Sequence, residues 1–224
     1  MYDFLKLDNL KGDFGNLLHC LRDGKAVTAF SLAQGAKMHV LSAIPGVKLL
    51  ISPDRLAAET AYTRLKGYVG DKVVLLYDKD DVLLHRKTLS DANFGKRLGA
   101  LSRLATGSAE IAVIPAEGVM QYLPNAAKFR KAHLTIMKEG EYPPDDVAEK
   151  LVKAGYTRSE IATEKGTFSL RGDILDVYPP SFDLPVRINY FDDIVENVKY
   201  FDPSTMESVG ETGHVVIPPA TDVL

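Results

Sequence analysis

The run Gly166-Thr167-Phe168-Ser169-Leu170-Arg171-Gly172-Asp173-Ile174-Leu175-Asp176-Val177-Tyr178-Pro179-Pro180 constrains the fold more than any other part of the chain. It reads as two alternating strands folded about Arg171-Gly172-Asp173, because side chains on a strand point to opposite faces in turn and Gly-Asp suits a tight turn. Phe168 and Leu170 then face a core with Leu175 and Val177. Ser169, Arg171, Asp176 and Tyr178 are left on the other face, predicted to meet solvent. An exposed Arg beside a Tyr outlines a docking surface, although a polar outer face is also what an ordinary antiparallel sheet presents.

Around this hairpin, composition narrows the function classes. The 224 residues are 46% hydrophobic and 25% charged, enough apolar material for one or two cores and too much for a disordered chain. The formal charge of −3, with no dense basic run, argues against a dedicated nucleic-acid-binding module, which concentrates cations to neutralise phosphates. The single cysteine, Cys20, allows no internal disulfide and suits a reducing compartment. The first residues lack the order of a signal peptide and no apolar run reaches membrane-spanning length, so a cytoplasmic protein with no membrane partner is expected.

The pattern divides the chain in two. The first region alternates helices and strands: a helical lead from Asn9 to Arg22, a buried strand at Ala26–Leu32, a helix from Gly35 to Ile44 and a strand at Val47–Ile51. A helix opened by Ser52-Pro53-Asp54 follows, running through Tyr68. Then come a strand at Val73–Tyr77, a helix over Asp91–Ala105 and a strand at Ile111–Ile114. Such alternation predicts an α/β, Rossmann-like domain with a parallel sheet. The second region is predicted as a smaller α+β domain, with a helix at Asp145–Ala154 and otherwise short strands of an antiparallel sheet.

Catalytic patterns are weak. Aligning Ala33-Gln34-Gly35-Ala36-Lys37-Met38 with a phosphate-binding loop puts Ser31 and Ala36 where the loop needs glycine. It also puts Met38 where a hydroxyl must hold magnesium, and a thioether is a poor ligand for that hard cation. Lys37 therefore reads as a solvated residue at a helix start, and no cofactor is expected. His19, His39, His85, His133 and His214 are scattered, with no zinc-site spacing. Asp78-Lys79-Asp80-Asp81 and Asp192-Asp193 read as turns rather than metal ligands. Arg171-Gly172-Asp173 matches an integrin-binding tripeptide, but its place between paired strands in a chain of intracellular composition makes that a coincidence.

A resemblance adds to this reading. From Ile111-Ala112-Val113-Ile114 and Gln121-Tyr122-Leu123-Pro124 the pieces continue through Gly155-Tyr156-Thr157-Arg158 and the hairpin. Pro185-Val186-Arg187-Ile188-Asn189-Tyr190-Phe191-Asp192-Asp193, Tyr200-Phe201-Asp202-Pro203 and Ile217-Pro218-Pro219-Ala220 complete the series. In order and spacing the chain resembles the UvrB-like module, found in the excision-repair protein UvrB and in bacterial transcription-repair coupling factors. The resemblance implies a first domain over 1–124 with a degenerate nucleotide-binding fold and a second over 125–213 that contacts the damage-recognition ATPase UvrA. Residues 214–224 would begin the connection to a further piece, so that the chain is expected to be a fragment. It also implies that Arg158, Ser169, Arg171, Tyr178, Arg187 and Asn189 form the UvrA-contacting surface, with RNA polymerase and DNA engaged through other domains of the longer protein. UvrB keeps a working phosphate loop, an Arg at the position of Ser169 and an acid at that of Asn189. The degenerate loop, with the absence of an aromatic-rich DNA-clamping hairpin, points to the coupling-factor side and to a module without activity of its own, while the changes at Ser169 and Asn189 imply that two charged contacts of the UvrB complex are weakened or replaced. The rival expectations are a nucleotide-dependent repair enzyme of the UvrB or helicase type and a direct DNA-binding module.

Overall fold

The computed structural model describes residues 13–77 and 87–223. The chain packs as two compact units: one takes the residues up to Leu75 together with Ala109–Pro115, the other Leu76–Ser108 and Ala116 onward.

The first unit contains α1 (Asp13–Arg22), α2 (Gln34–Ala43), β1 (Lys48–Ser52), α3 (Arg55–Val69), β2 (Val73–Leu75) and β3 (Ile111–Pro115). Its strands form the expected parallel sheet in the order β1-β3-β2, with Lys48 and Val73 both opposite Ile111. The central strand β3 is buried at every position, as an inner parallel strand should be. Helix α3 starts where its sequence dictates, since the Asp54 carboxylate accepts a 2.8 Å bond from the Ala57 amide, and it turns Ala58, Ala61 and Leu65 into the core. One expectation is corrected. Residues 26–32 form no strand: Phe30 is 82% exposed and Ser31 sits at φ 58, a left-handed value that ends an extended run. Apolar composition makes a strand only where it gains a ladder and a buried face, and this segment is exposed over residues 26–31 and pairs with no strand of the described sheet, although β1 is an edge of it.

The second unit contains α4 (Lys87–Ala105), α5 (Ala116–Val119), α6 (Ala126–Lys131), β4 (Leu134–Met137), α7 (Pro144–Lys153), β5 (Thr157–Arg158), β6 (Thr167–Arg171), β7 (Ile174–Tyr178), β8 (Val186–Phe191), β9 (Ile194–Phe201), β10 (Ser208–Thr212) and β11 (His214–Ile217). Strands β10-β9-β8-β7-β6-β5 make a six-stranded sheet and β11-β4 a two-stranded one. The large sheet is antiparallel except at its edge, where β5 runs parallel to β6. Helix α7 carries Pro144 at its start, Asp145 and Asp146 in its first turn and Lys150 and Lys153 in its last, an order that complements the helix dipole. Its Val147, Ala148 and Leu151 pack with Phe168, Leu175, Val177, Ile188 and Val198 into one core. Residues 214–222, read from the sequence as a lead-out, pack here: Ile217 lies in that core and the Tyr156 hydroxyl donates a 2.6 Å bond to the Pro218 carbonyl.

Helix α4 belongs to this unit through two features. Gly95 and Gly99 lie where an added methyl would meet the Pro180 carbonyl and the Ser181 side chain. Arg97, 0% exposed, donates to Asp222 at 3.3 Å and to the Tyr77 carbonyl at 2.7 Å. Among the described residues no helix is long and apolar enough to cross a membrane. Asp78-Lys79-Asp80-Asp81 and residues 9–12 of the helical lead lie outside the described residues.

Candidate protein-docking site

The hairpin keeps the register its alternation predicts: Phe168 faces Val177, Ser169 faces Asp176 and Leu170 faces Leu175. The next strand continues it, with Arg187 opposite Asp176 and Asn189 opposite Ile174. Cross-strand pairing thus sets Ser169, Asp176, Arg187 and Lys199 in one row on the outer face.

That face is not simply solvated. Ser169 is 1% exposed, Asp176 0% and Tyr178 8%, which corrects the expectation of a water-facing row. The Ser169 hydroxyl donates to the Glu160 carbonyl at 2.8 Å, because the turn after β5 folds over the strand and is tied to it by a 2.8 Å bond from the Ser159 amide to the Phe168 carbonyl. The Tyr178 hydroxyl donates to the Asp183 carbonyl at 2.9 Å. Burial, with Asp183 and Asp202 nearby, pushes its phenol above the ordinary value.

Asp176 is the centre of the row. Its Oδ1 accepts from Arg187 Nε at 2.7 Å and its Oδ2 from Arg187 Nη2 at 2.9 Å. Arg171 Nη2 adds a third bond at 3.2 Å. The fork-to-carboxylate match holds Arg187 in its charged form above the usual guanidinium value, and the same guanidinium lies over the Phe201 ring at 4.7 Å, a cation–π contact. Asn189 Nδ2 donates to Asn197 Oδ1 at 2.7 Å, while its own Oδ1 is buried with no partner among the described residues.

The six predicted contact residues therefore divide. Ser169 and Tyr178 are buried and Arg187 and Asn189 half-buried, each in internal bonds. Arg158 is exposed on the edge strand β5 and the Arg171 side chain is 50% exposed. These two arginines border one open cleft of about 760 Å³, with Ser159, Glu160, Ile161, Ser169 and Leu170. The cleft thus sets two guanidinium forks beside Glu160 and apolar Ile161 and Leu170. Sequence reasoning placed Asp176 on this face without giving it a role. Its strand position opposite Arg187 was the available signal.

The phosphate-loop positions do not assemble into such a loop. Ser31 is exposed in the left-handed turn, and Ala36, Lys37 and Met38 lie within α2, with no strand leading into it. Lys37 is exposed and Met38 half-buried, and both border a cleft of about 600 Å³ with Leu50, Ser52 and Arg64. Among the described residues no cluster of His, Cys, Asp or Glu could hold a metal ion.

Residues 134–222 match the family described as the UvrB interaction domain, the part of the second unit that carries the cleft. Over 223 residues the chain is 30% identical to a transcription-repair-coupling factor of Myxococcus xanthus, covering 94% of this chain and 19% of that protein. A transcription-repair-coupling factor of Bacillus subtilis is 28% identical over 95% of the chain and 18% of its own length. One of Staphylococcus epidermidis is 30% identical over 79% and 15%. Fold and comparisons together define a UvrB-type interaction module. The chain belongs to the UvrB-like modules of the transcription-repair-coupling factors, and it spans under a fifth of the length of these relatives.

Proposed function

We propose that this module is a non-catalytic docking unit that recruits UvrA in transcription-coupled excision repair, and that UvrA approaches the cleft between β5 and the β6–β7 hairpin. The observation that carries the reading is the pair Arg158 and Arg171, both exposed on one cleft. Their guanidinium forks suit carboxylates of an acidic partner. The exposed arginines sit beside a covered hairpin face, so a partner would meet a rigid wall rather than mobile side chains, which lowers the ordering cost of association. A translocating motor, RNA polymerase contact and DNA binding are proposed for other parts of the longer protein. Met38 at the magnesium position, together with the lack of a strand leading into α2, supports a first unit that performs no nucleotide chemistry.

The test is titration of UvrA against Arg158→Glu and Arg171→Glu, with melting temperatures measured for each. Both side chains are exposed, so the fold should be little affected, whereas reversing a charge against an acidic partner should cost on the order of 2–5 kcal/mol of binding. Binding equal to the parent's in both variants would refute the reading. Tyr178→Ala is a poor probe, because it removes a ring that is only 8% exposed and so confounds binding with stability.

A further inference from the structure

The geometry points to Asp176 as the positioning residue of this surface: a fully buried carboxylate that holds Arg171 out over the hairpin, ready for a partner's acid, and withdraws Arg187 from direct contact. The inference rests on the proposed docking function. Asp176 is 0% exposed and receives three charge-assisted bonds from two guanidiniums. Arg187 gives it Nε and Nη2, the edge a bidentate ligand would use, and lays its plane on Phe201. That edge is closed to a second carboxylate, and the Arg187 side chain is only 22% exposed, against 50% for Arg171. Arg171 gives only one N–H, at 3.2 Å, and stays half exposed, which keeps it within reach of a partner with donors to spare.

The pairing explains how a short acid reaches both cations. Asp176 lies directly opposite Arg187 and diagonally from Arg171, whose own cross-strand partner is Ile174. Diagonal neighbours on one sheet face are roughly 7–8 Å apart, within reach of a long side chain. One buried negative charge between two positive ones leaves the cluster a net cation, and that charge is displayed by Arg171. A free arginine loses rotamer freedom when a partner immobilises it; here Asp176 imposes the order before the partner arrives. An amide could not do the same, because its NH2 group would face guanidinium donors.

The experiment is UvrA titration against the parent, Arg171→Glu, Arg171→Ala, Asp176→Asn and the Arg171→Ala/Asp176→Asn double variant, with melting curves and 15N relaxation of the Arg171 Nε–H. Asp176→Asn should weaken UvrA binding about tenfold and turn the Arg171 side chain from ordered to mobile. In the Arg171→Ala background it should weaken binding no further, because its effect passes through Arg171. If Arg171→Glu abolishes binding while Asp176→Asn binds like the parent, or if the Asp176→Asn penalty persists undiminished without Arg171, the positioning role is refuted and the docking reading stands. If Arg171→Glu binds like the parent, this inference fails, and the docking reading fails with it only where Arg158→Glu binds like the parent too. Should Asp176→Asn fail to fold, Asp176→Asn/Arg187→Gln takes its place under the same criteria, since it removes the buried acid and its main cation together and leaves no uncompensated buried charge.

Discussion

Burial sorts the residues of this module into those that hold the fold and those that can meet a partner. Tyr156 shows the first kind. It is 3% exposed, and burial pushes its phenol well above the ordinary value of 10; burial, with Tyr142 nearby, does the same to Tyr190. Both phenols favour the protonated form in the folded state more than in the unfolded one. Their stabilising contribution is therefore complete below pH 10 and declines as pH rises above it, by about 1.4 kcal/mol per pH unit for each phenol that ionises only on unfolding. Denaturant melts at a series of alkaline pH values should show this slope. Tyr156→Phe should reduce it, and at neutral pH should cost roughly 1–3 kcal/mol, because the Pro218 carbonyl loses its 2.6 Å donor. An unchanged alkaline slope would place that pH dependence elsewhere.

Among the elements, two helices use glycine in opposite ways. In α4, Gly95 touches the second unit's own backbone: a methyl there would meet the Pro180 carbonyl. In α3, Gly67 has open space where its Cβ would be, so only helix propensity is at stake. Gly95→Ala should destabilise by about 1–3 kcal/mol through overpacking, whereas Gly67→Ala should stabilise by roughly 0.5–1 kcal/mol. Thermal denaturation of the two variants in parallel decides the matter, and equal shifts would mean that α4 is not seated as described. The strands were the more legible elements. Hairpin alternation predicted which residues of β6 and β7 share a face, yet it could not show that the turn at Ser159–Ile161 covers Ser169, since that cover comes from a segment eight or more residues away in sequence.

Over the whole molecule, the second unit is closed by an ion pair that joins distant parts of the chain. Arg97 and Asp222 are 0% and 3% exposed in their side chains and lie 3.3 Å apart. Arg97 also donates to the Tyr122 carbonyl at 3.3 Å. Removing one member of a buried pair leaves the other charge uncompensated, so Asp222→Ala should destabilise the second unit by roughly 3–5 kcal/mol, while replacing both members with apolar residues of similar volume should cost much less. Chemical denaturation followed by a probe in the second unit measures the difference. A double replacement as harmful as Asp222→Ala would contradict this account.

The sequence by itself determined whatever rests on local periodicity or on one residue's chemistry. The hairpin and its two faces, the start of α3 at Asp54 and the helix that becomes α7 were all readable, because strand alternation, capping and helical periodicity act over a few residues. Family order was readable as well, through the spacing of short pieces along the second half of the chain. Only the tertiary structure decided which residues of the outer face are accessible. Asp176 and Arg187 read as exposed polar residues, and burial converted them into an internal clamp. Residues 26–32 read as a strand, and with an exposed course that pairs with no strand of the sheet they form none. In both cases the deciding partners are remote in sequence, and pattern along one segment carries no information about what packs against it.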